Sequence, residues 1–454
     1  MYTSMFGVSC GVKQGCLISP TLFALYINDL ALEIKSLNKG IDIDGNNVSI
    51  LLYADDIVLI SPNADNLQDM LDCVNNWCFK WRLSLNRNKS NIVHFRPVNM
   101  PCSEFEFKCG ANTLDYVDSY KYLGLWFNEH LKWDKAIKEL SKSANRALGS
   151  LTAKFYANGG MPYTVFTKLY ESLVQPILLY GSAVWGLSEQ RHINNVQNRA
   201  AKLFLGVNRR TSNIGAQGDL GWLSCIAKQR LEVLRYFHRI NSYDDCRIVS
   251  NVLKWSKRER RSWSSRALGL LSVLGLNTEL NESKEQFMIM VKSKIKIQDE
   301  QIWFSKLWND DACPNGNKLR HYRKFKKDLK PDFYVTSNIP RHLRSYISKL
   351  RCGTLPLTVE TGRYSKPPTP LEDRTCPFCT DIVEDAIHFL INCNVYSDLR
   401  FTFFQTVISF NETFESNTDL EKFLYIIQLD ALQLNLATLI YKMIRRRRAL
   451  LTNI

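Results

Sequence analysis

The sequence predicts an α+β fold in which short antiparallel strands and helices come first, a helical region follows, and a small metal-binding segment comes last. Three observations support this order. Two adjacent aspartates interrupt an apolar run over residues 50–60, apolar residues recur every three or four positions over residues 133–155, and Cys and His cluster over residues 376–393. We expect the segments to span residues 1–130, 131–250, 251–365 and 366–454.

The first element is a helix that contains the apolar stretch Leu22 to Leu32. It follows the glycine-containing stretch Gly11-Val12-Lys13-Gln14-Gly15, and Pro20 lies in its first turn, where proline is favoured. The glycines allow the backbone to approach a ligand closely.

The next element is a hairpin. Ile50 to Leu52 and Ile57 to Ile60 predict two buried strands, joined by a tight turn that carries Asp55 and Asp56. Two carboxylates are costly to bury unless something binds them. Mg²⁺ prefers oxygen ligands of this kind. A surface Asp-Asp turn is the alternative interpretation.

Further elements follow in order. Leu83 to Lys89 precedes a strand-like run from Ile92 to Phe95, and Tyr120 to Gly124 predicts a turn. A helical stripe then comprises Trp133, Ile137, Leu140, Ala144, Leu148, Leu151 and Phe155. Later helices are expected from Phe166 to Leu179 with a break at Pro176, from Ile193 to Phe204 with a stop at Gly206, and within residues 280–350.

Four of these motifs, in this order, resemble the reverse transcriptases of non-LTR (LINE-type) retrotransposons. They are the Gly-x-x-Gln-Gly turn, the Tyr-Ala-Asp-Asp hairpin, the segment that ends at Lys89, and the Tyr122-Leu123-Gly124 turn. The resemblance implies an RNA-directed DNA polymerase with a partial palm over residues 1–130 and a helical thumb-like region over residues 131–250.

The resemblance also implies roles for individual residues and a template-primer of RNA and DNA as the partner. Asp55 and Asp56 would be catalytic and bind Mg²⁺, and Lys89 would lie near the departing pyrophosphate. The implied template and nucleotide contacts are Lys13, Gln14, Gly15 and Tyr53, and the implied primer grip is Tyr122, Leu123 and Gly124.

One departure from the family is expected to matter. Family enzymes place a further aspartate on a strand before the Gln-Gly turn, whereas residues 1–28 contain no Asp or Glu. Two-metal chemistry needs carboxylates from both strands. We therefore expect an N-terminally truncated fragment that binds nucleic acid but is inactive alone, unless a partner chain supplies the missing palm strands.

Charge also favours a nucleic-acid partner. The net charge of +15 favours a polyanion, and basic residues alternate with aromatic ones in two runs, residues 254–266 and 318–330, as suits single-stranded nucleic acid. Solvated helix faces are the alternative interpretation. The predicted contacts are Arg258, Arg260, Arg261, Arg323, Lys324, Lys326 and Lys327. The string Arg445 to Arg448 fits an RNA contact, a nuclear import signal or a cationic helix terminus.

The C-terminal segment contains Cys376, Cys379, His388 and Cys393, spaced Cys-x2-Cys-x8-His-x4-Cys. This spacing predicts a zinc knuckle in which Zn²⁺ has a structural role. The proline-rich stretch over residues 366–370 predicts a linker before it. The longer central gap resembles the C-terminal Cys-Cys-His-Cys segment of LINE-type proteins.

Composition limits the remaining possibilities. The longest apolar runs are too short for a membrane span, and the odd count of thirteen cysteines favours reduced thiols. We expect an intracellular protein, nuclear or cytoplasmic, without membrane contact. Two functions follow from the sequence: a retrotransposon reverse transcriptase fragment, or a non-catalytic RNA- or DNA-binding protein derived from such a transposable element.

Overall fold

The structure is a computed structural model that describes residues 11–13, 15–277, 282–311, 313 and 316–452. Two compact units divide the chain. The first comprises Met1–Ala136 with Tyr236–Gly269, and the second comprises Ile137–Arg235 with Leu270–Ile454. The fold mixes helices with small antiparallel sheets, as the α+β prediction requires.

The strands all lie in the first unit and pair as four separate two-stranded antiparallel sheets within the described part of the chain. They are β1 (Ile41–Ile43), β2 (Asn46–Val48), β3 (Ile50–Tyr53), β4 (Asp56–Leu59), β5 (Lys108–Cys109), β6 (Asn112–Thr113), β7 (Ser119–Tyr122) and β8 (Leu125–Asn128).

Helices account for most of the remaining chain. They are α1 (Ser19–Ser36), α2 (Ala64–Lys80), α3 (Asp134–Ala157), α4 (Tyr163–Leu169), α5 (Gln175–Leu178), α6 (Ser182–Trp185), α7 (Arg191–Leu205), α8 (Asn213–Leu220), α9 (Cys225–Asn241), α10 (Ile248–Arg258), α11 (Trp263–Val273), α12 (Lys284–Leu307), α13 (Tyr322–Phe325), α14 (Phe333–Thr336), α15 (Arg341–Arg351), α16 (Thr358–Thr361), α17 (Ser397–Ile408), α18 (Asp419–Gln428) and α19 (Gln433–Leu451). Short 3₁₀ turns span Arg87–Lys89, Gly362–Tyr364, Asn394–Tyr396, Glu412–Ser416 and Asp430–Leu432, and wider π turns span Tyr170–Val174 and His388–Asn392.

The core of the first unit forms where α1 and α2 pack beside the β3–β4 hairpin. Leu30, Ile34, Met70 and Trp77 are buried in this cluster. The predicted α1 is confirmed, with Pro20 in its first turn.

Two predictions about strands are wrong. The hairpin over residues 50–59 forms as expected, but only Ile50 is buried, and Leu51 on the same strand is 39% exposed. Within the described residues each of these two strands pairs only with the other, so no further strand flanks the ribbon. Ile92 makes one isolated bridge, to Tyr116, and no strand continues to Phe95.

Helix ends in the second unit follow local chemistry. The stripe on α3 is buried at Ile137, Leu148 and Phe155, as predicted. Gly206 ends α7 with a φ of +70°, a left-handed conformation that glycine adopts readily. The predicted helix from Phe166 is interrupted by the wide turn Tyr170–Val174, which begins before Pro176.

The largest core cluster of the second unit joins α12, α15, α17, α18 and α19 to the Cys-rich segment. No single described helix is long and apolar enough to cross a membrane. One pair, Asp419–Gln428 with Asp430–Leu451, passes that test only when its members are joined across a bend of 76°.

Candidate functional site

The two adjacent aspartates lie at the tip of the β3–β4 hairpin. Tyr53 pairs with Asp56 in the register, so Ala54 and Asp55 form a two-residue loop. Tyr53, Asp55 and Asp56 are all exposed. Ala54 has a φ of +53°, a left-handed conformation that costs about 1 kcal/mol for a residue with a Cβ atom. The hairpin thus presents two carboxylates to solvent at a strained turn.

A second hairpin lies close to this acidic turn. β7 and β8 are joined by Leu123 and Gly124, with φ values of +46° and +85°, which is the pattern of a tight type I′ turn. The pKa of Tyr122 is raised, chiefly because its side chain is partly buried. The nearby charges of Asp56 and Tyr53 raise it further. The structure therefore brings the Tyr122 ring within the electrostatic reach of the acidic turn.

The remaining residues implied by the resemblance lie on exposed turns. Lys89 ends the 3₁₀ turn Arg87–Lys89, and its carbonyl oxygen accepts a 2.7 Å hydrogen bond from the Tyr120 hydroxyl. Lys13 and Gly15 are exposed just before α1. Gln14 lies outside the described residues.

A third metal ligand does not join the aspartate pair. Among the residues that the structure describes, Asp55 and Asp56 belong to no group of three or more His, Cys, Asp or Glu side chains suited to a metal ion. The two carboxylates supply oxygen ligands on one strand turn only.

The first basic run borders α10 in the first unit. Arg258, Arg260 and Arg261 are exposed, and Arg258 forms an ion pair with Asp44. Trp255 is 38% exposed on the same helix. This run therefore presents cations beside an accessible aromatic ring.

The second basic run is less uniform. Lys324 and Lys327 are exposed, but the Arg323 guanidinium pairs with Asp310 at 2.9 Å and lies 4.5 Å from the centre of the Trp308 ring. The run as a whole is not a solvated face.

Lys326 corrects the prediction most clearly, because it is only 5% exposed. Its Nζ lies 3.0 Å from a carboxylate oxygen of Asp332 and donates a 2.6 Å hydrogen bond to the carbonyl of Lys330. Lys326 cannot reach a nucleic acid without leaving these partners. Charge density alone did not distinguish this buried lysine from its exposed neighbours.

The arginine string near the end of α19 divides in the same way. Arg445 and Arg448 are exposed. Arg446 pairs with Asp398, and Arg447 is buried against Glu384, with one N–H···O bond of 2.8 Å. Two of the four arginines are therefore held in ion pairs within the protein, and the other two are exposed to solvent.

Four side chains in the second unit converge on one point. The ligand atoms of Cys376, Cys379, His388 and Cys393 all lie within 4.8 Å of one another. The sulfur of Cys393 lies 4.0 Å from that of Cys376 and 3.7 Å from that of Cys379. Thiolates around a tetrahedral metal with bonds of about 2.3 Å would be about 3.8 Å apart, so this geometry fits a metal ion.

The chemistry of the four groups supports the same interpretation. Nε2 of His388 is buried and has no hydrogen-bond partner among the described residues, which a bound cation would explain. Burial lowers the pKa of His388 and so favours the neutral imidazole, the form that ligates metal. Burial raises the pKa of Cys393 to about 12, so a nearby cation is needed to hold this sulfur as a thiolate.

Two acidic residues that the sequence analysis did not single out hold this cluster in place. Oδ1 of Asp385 accepts a 2.8 Å hydrogen bond from the backbone N–H of His388. Glu384 holds Arg447 and also accepts a 2.7 Å bond from the N–H of Thr358. The Asp-x-x-His spacing, typical of a capped turn, is the one signal that could have indicated Asp385.

Comparison with known proteins identifies the class of the first unit. Residues 3–127 match the family described as reverse transcriptase (RNA-dependent DNA polymerase). This stretch contains the acidic turn, Lys89 and the Tyr122 hairpin. Residues 3–127 are thus similar to a reverse transcriptase domain.

Several of the similar proteins come from mobile elements. The RNA-directed DNA polymerase from mobile element jockey of Drosophila funebris is 26% identical over 205 residues, which cover 43% of this chain and 22% of that protein. The probable RNA-directed DNA polymerase from transposon X-element of Drosophila melanogaster is 24% identical over 270 residues, covering 56% of the chain and 28% of that protein.

A third relative extends the similarity toward the C-terminal half. The putative 115 kDa protein in type-1 retrotransposable element R1DM of Drosophila melanogaster is 22% identical over 415 residues, covering 87% of the chain and 34% of that protein. The chain spans about a fifth to a third of the length of these relatives. It is a relative of the reverse transcriptases of non-LTR retrotransposons, as the sequence motifs indicated.

Proposed function

We propose that these 454 residues are a reverse transcriptase fragment that holds an RNA and DNA template-primer but does not extend it. One observation carries the second half of this proposal: Asp55 and Asp56 stand without a third ligand in the described part of the chain. Residues 1–28 contain no Asp or Glu that could provide one. The exposed basic residues support the first half.

The aspartate turn provides part of a proposed Mg²⁺ site. Two exposed carboxylates are the hard oxygen ligands that this ion prefers. A bound Mg²⁺ would stabilise charge on a transferring phosphate. In the proposal Asp55 and Asp56 bind the ion, Tyr122 with Leu123 and Gly124 borders the primer end, and Lys13, Gln14 and Gly15 border the template.

Primer extension tests the proposal. Purified protein is incubated with Mg²⁺, poly(rA) annealed to oligo(dT), and dTTP, with Asp55→Ala beside it, and template-primer binding is measured in parallel. We expect binding by both proteins and extension by neither. Extension by the natural sequence that disappears in Asp55→Ala would overturn the proposed inactivity and show that another carboxylate completes the site.

The same proposal assigns the missing part of the site to a second chain. A polypeptide that contributes a strand with an aspartate beside the β3–β4 hairpin would restore Mg²⁺-dependent extension. Because both edges of this two-stranded sheet are unpaired within the described residues, a strand can add to it by main-chain hydrogen bonds.

A second candidate function is a non-catalytic RNA- or DNA-binding protein derived from the same source. The observation that favours it is the Cys376, Cys379, His388 and Cys393 cluster, for which we propose Zn²⁺ because three thiolates and one imidazole are typical of structural zinc. On this alternative, RNA affinity falls when Cys376 or His388 is replaced and is unchanged in Asp55→Ala. Affinity that is insensitive to zinc removal would exclude a role of the cluster in binding.

A further inference from the structure

A cleft in the second unit belongs to none of the sites described above. It has a volume of about 270 Å³, just below the usual range for small-ligand sites. Its lining comes from the start of α8, the end of α12, the segment before α13 and the 3₁₀ turn Gly362–Tyr364. The lining includes Ile214, Lys306, Lys318, Leu319, Arg363 and Tyr364.

The charge of this lining has one sign. Lys306, Lys318 and Arg363 are cationic, and none of the described lining residues is acidic. The buried Arg363 is already committed, because its Nε donates a 2.9 Å bond to Glu360. Lys306 is exposed and forms no ion pair with a described residue.

Lys318 lines the cleft, and its ammonium group does not use all of its hydrogen-bond donors. Its ammonium donates to the carbonyl of Arg210 at 2.8 Å and to the hydroxyl of Tyr364. An ammonium group has three N–H donors, so one donor of Lys318 remains for an incoming acceptor. A phosphate oxygen is the acceptor that two nearby lysines would favour most.

Tyr364 provides an exposed aromatic ring in the lining of the cleft. Its ring is 44% exposed although Arg210 lies over it, with the guanidinium carbon 4.3 Å from the ring centre. The hydrogen bond from Lys318 limits rotation of the phenol. An exposed, oriented aromatic ring between cations is the arrangement on which a nucleobase stacks.

We infer that this cleft binds one nucleotide of a single-stranded nucleic acid. The base stacks against Tyr364 and the apolar wall of Ile214 and Leu319, and the phosphate contacts Lys306 and Lys318. The volume admits one base and excludes a duplex. The inference rests on the proposed nucleic-acid binding for its choice of ligand, and it assigns that binding a position away from the acidic turn and the Cys/His cluster.

Photocrosslinking and affinity measurements test the inference. The full chain is irradiated with a short oligouridylate that contains 4-thiouridine, and the crosslinked peptide is identified by mass spectrometry. Dissociation constants are measured by fluorescence anisotropy for the natural sequence, Tyr364→Ala and Tyr364→Phe. Phe401→Ala is the matched control, because Phe401 is 66% exposed in the same unit and lies outside the cleft.

We expect the crosslink to fall on the peptide that contains Tyr364. Tyr364→Ala should weaken oligouridylate binding about ten-fold, since one stacked base is lost, whereas Tyr364→Phe and Phe401→Ala should bind within about two-fold of the natural sequence. Circular dichroism of Tyr364→Ala checks that the variant is folded. If Tyr364→Ala does not fold, the crosslink to the natural sequence still tests the inference, and a crosslink on any other peptide would overturn it.

The phosphate contact has its own control pair. Lys306→Gln should reduce the slope of log affinity against log salt by about 0.7, the value for one phosphate contact on a single strand. Lys292→Gln, an exposed lysine on the same helix α12, should leave the slope unchanged. Equal slopes for the two variants would contradict the assignment of the phosphate to Lys306.

The outcomes separate this inference from the proposed function. If the natural sequence binds oligouridylate but Tyr364→Ala binds equally well and crosslinks elsewhere, the cleft is not the site, and the proposed function stands. If the natural sequence binds neither oligouridylate nor template-primer, both fail. Uridine monophosphate that competes as well as the oligonucleotide would overturn the single-strand assignment in favour of a free nucleotide site.

Discussion

Single residues in this protein differ in role from chemically identical neighbours. Lys324 and Lys326 are two positions apart, yet the first is exposed and the second is held by Asp332 and the carbonyl of Lys330. Asp332 also lies 2.7 Å from Arg351, a buried arginine that pairs with Asp219. Lys326 therefore belongs to a buried charge network and Lys324 to the surface.

Replacing each lysine by methionine should separate these roles. Lys326→Met removes one partner from a buried ion pair and should lower the free energy of unfolding by about 3 kcal/mol. Lys324→Met should change it by less than about 0.5 kcal/mol, as exposed substitutions do. Urea denaturation followed by circular dichroism gives both values, and equal stabilities would refute the structural role of Lys326.

Prediction from sequence succeeded at this scale where the chemistry was local. Pro20 and Gly206 mark a helix start and a helix end because their backbone preferences act within one turn. The pairing of Arg446 with Asp398 and of Arg447 with Glu384 spans 48 and 63 residues. No pattern within the arginine string could indicate those partners, because only the tertiary fold brings them together.

At the scale of elements, the Cys-rich segment has little regular structure of its own. Short pieces of regular structure surround the four ligand residues, among them an isolated bridge between Thr375 and Val383 and the turns His388–Asn392 and Asn394–Tyr396. The four residues are Cys376, Cys379, His388 and Cys393. So short a segment gains little from hydrogen bonding within itself. It packs against α17 to α19, and the proposed metal would stabilise it further.

Cys379→Ser should therefore abolish stoichiometric zinc. Structural zinc contributes on the order of 10 kcal/mol to folding of such units, so the segment should also unfold locally and lose amide protection over residues 375–393. Elemental analysis of purified protein and hydrogen exchange measure the two effects. Cys246→Ser, at an exposed cysteine outside the cluster, should change neither, and zinc retained in Cys379→Ser would exclude the proposed ligand set.

The turn of the acidic hairpin lies where the sequence predicted it. The predicted burial of its strands is wrong. Apolar residues on both faces of Ile50–Tyr53 predicted a strand covered on both sides. The described residues contain no neighbouring strand for this ribbon, so Leu51 stays exposed. Sequence indicates which residues favour a strand, but coverage depends on elements that pack from elsewhere.

At the scale of the whole molecule, the net charge is +15. Some of the basic side chains that contribute to it are exposed and others are buried. The exposed arginines Arg258, Arg260 and Arg261 lie within four consecutive positions that also include Glu259, close in sequence to Trp255. Net charge predicted a polyanion partner. It could not predict which cations are available, because that requires the burial of each one.

Binding to single-stranded RNA should consequently depend on salt in a way that these arginines control. Each replacement by glutamine should reduce the slope of log affinity against log salt by about 0.7. Asp55→Ala and Asp56→Ala should leave the slope unchanged, since neither side chain contacts phosphate without a metal. Anisotropy titrations at several salt concentrations test this, and a slope unaffected by the triple glutamine variant would remove this run from the binding surface.

The buried pair between Arg447 and Glu384 joins the last helix to the segment between Cys379 and His388. Glu384 is 1% exposed and Arg447 is 4% exposed, so neither charge can be left alone without a large desolvation cost. Loss of α19 would thus destabilise the Cys/His cluster, and loss of metal would loosen α19. Proteolysis of α19 and of the Cys/His cluster should follow the same time course, although Cys393 and Arg447 are 54 positions apart along the chain.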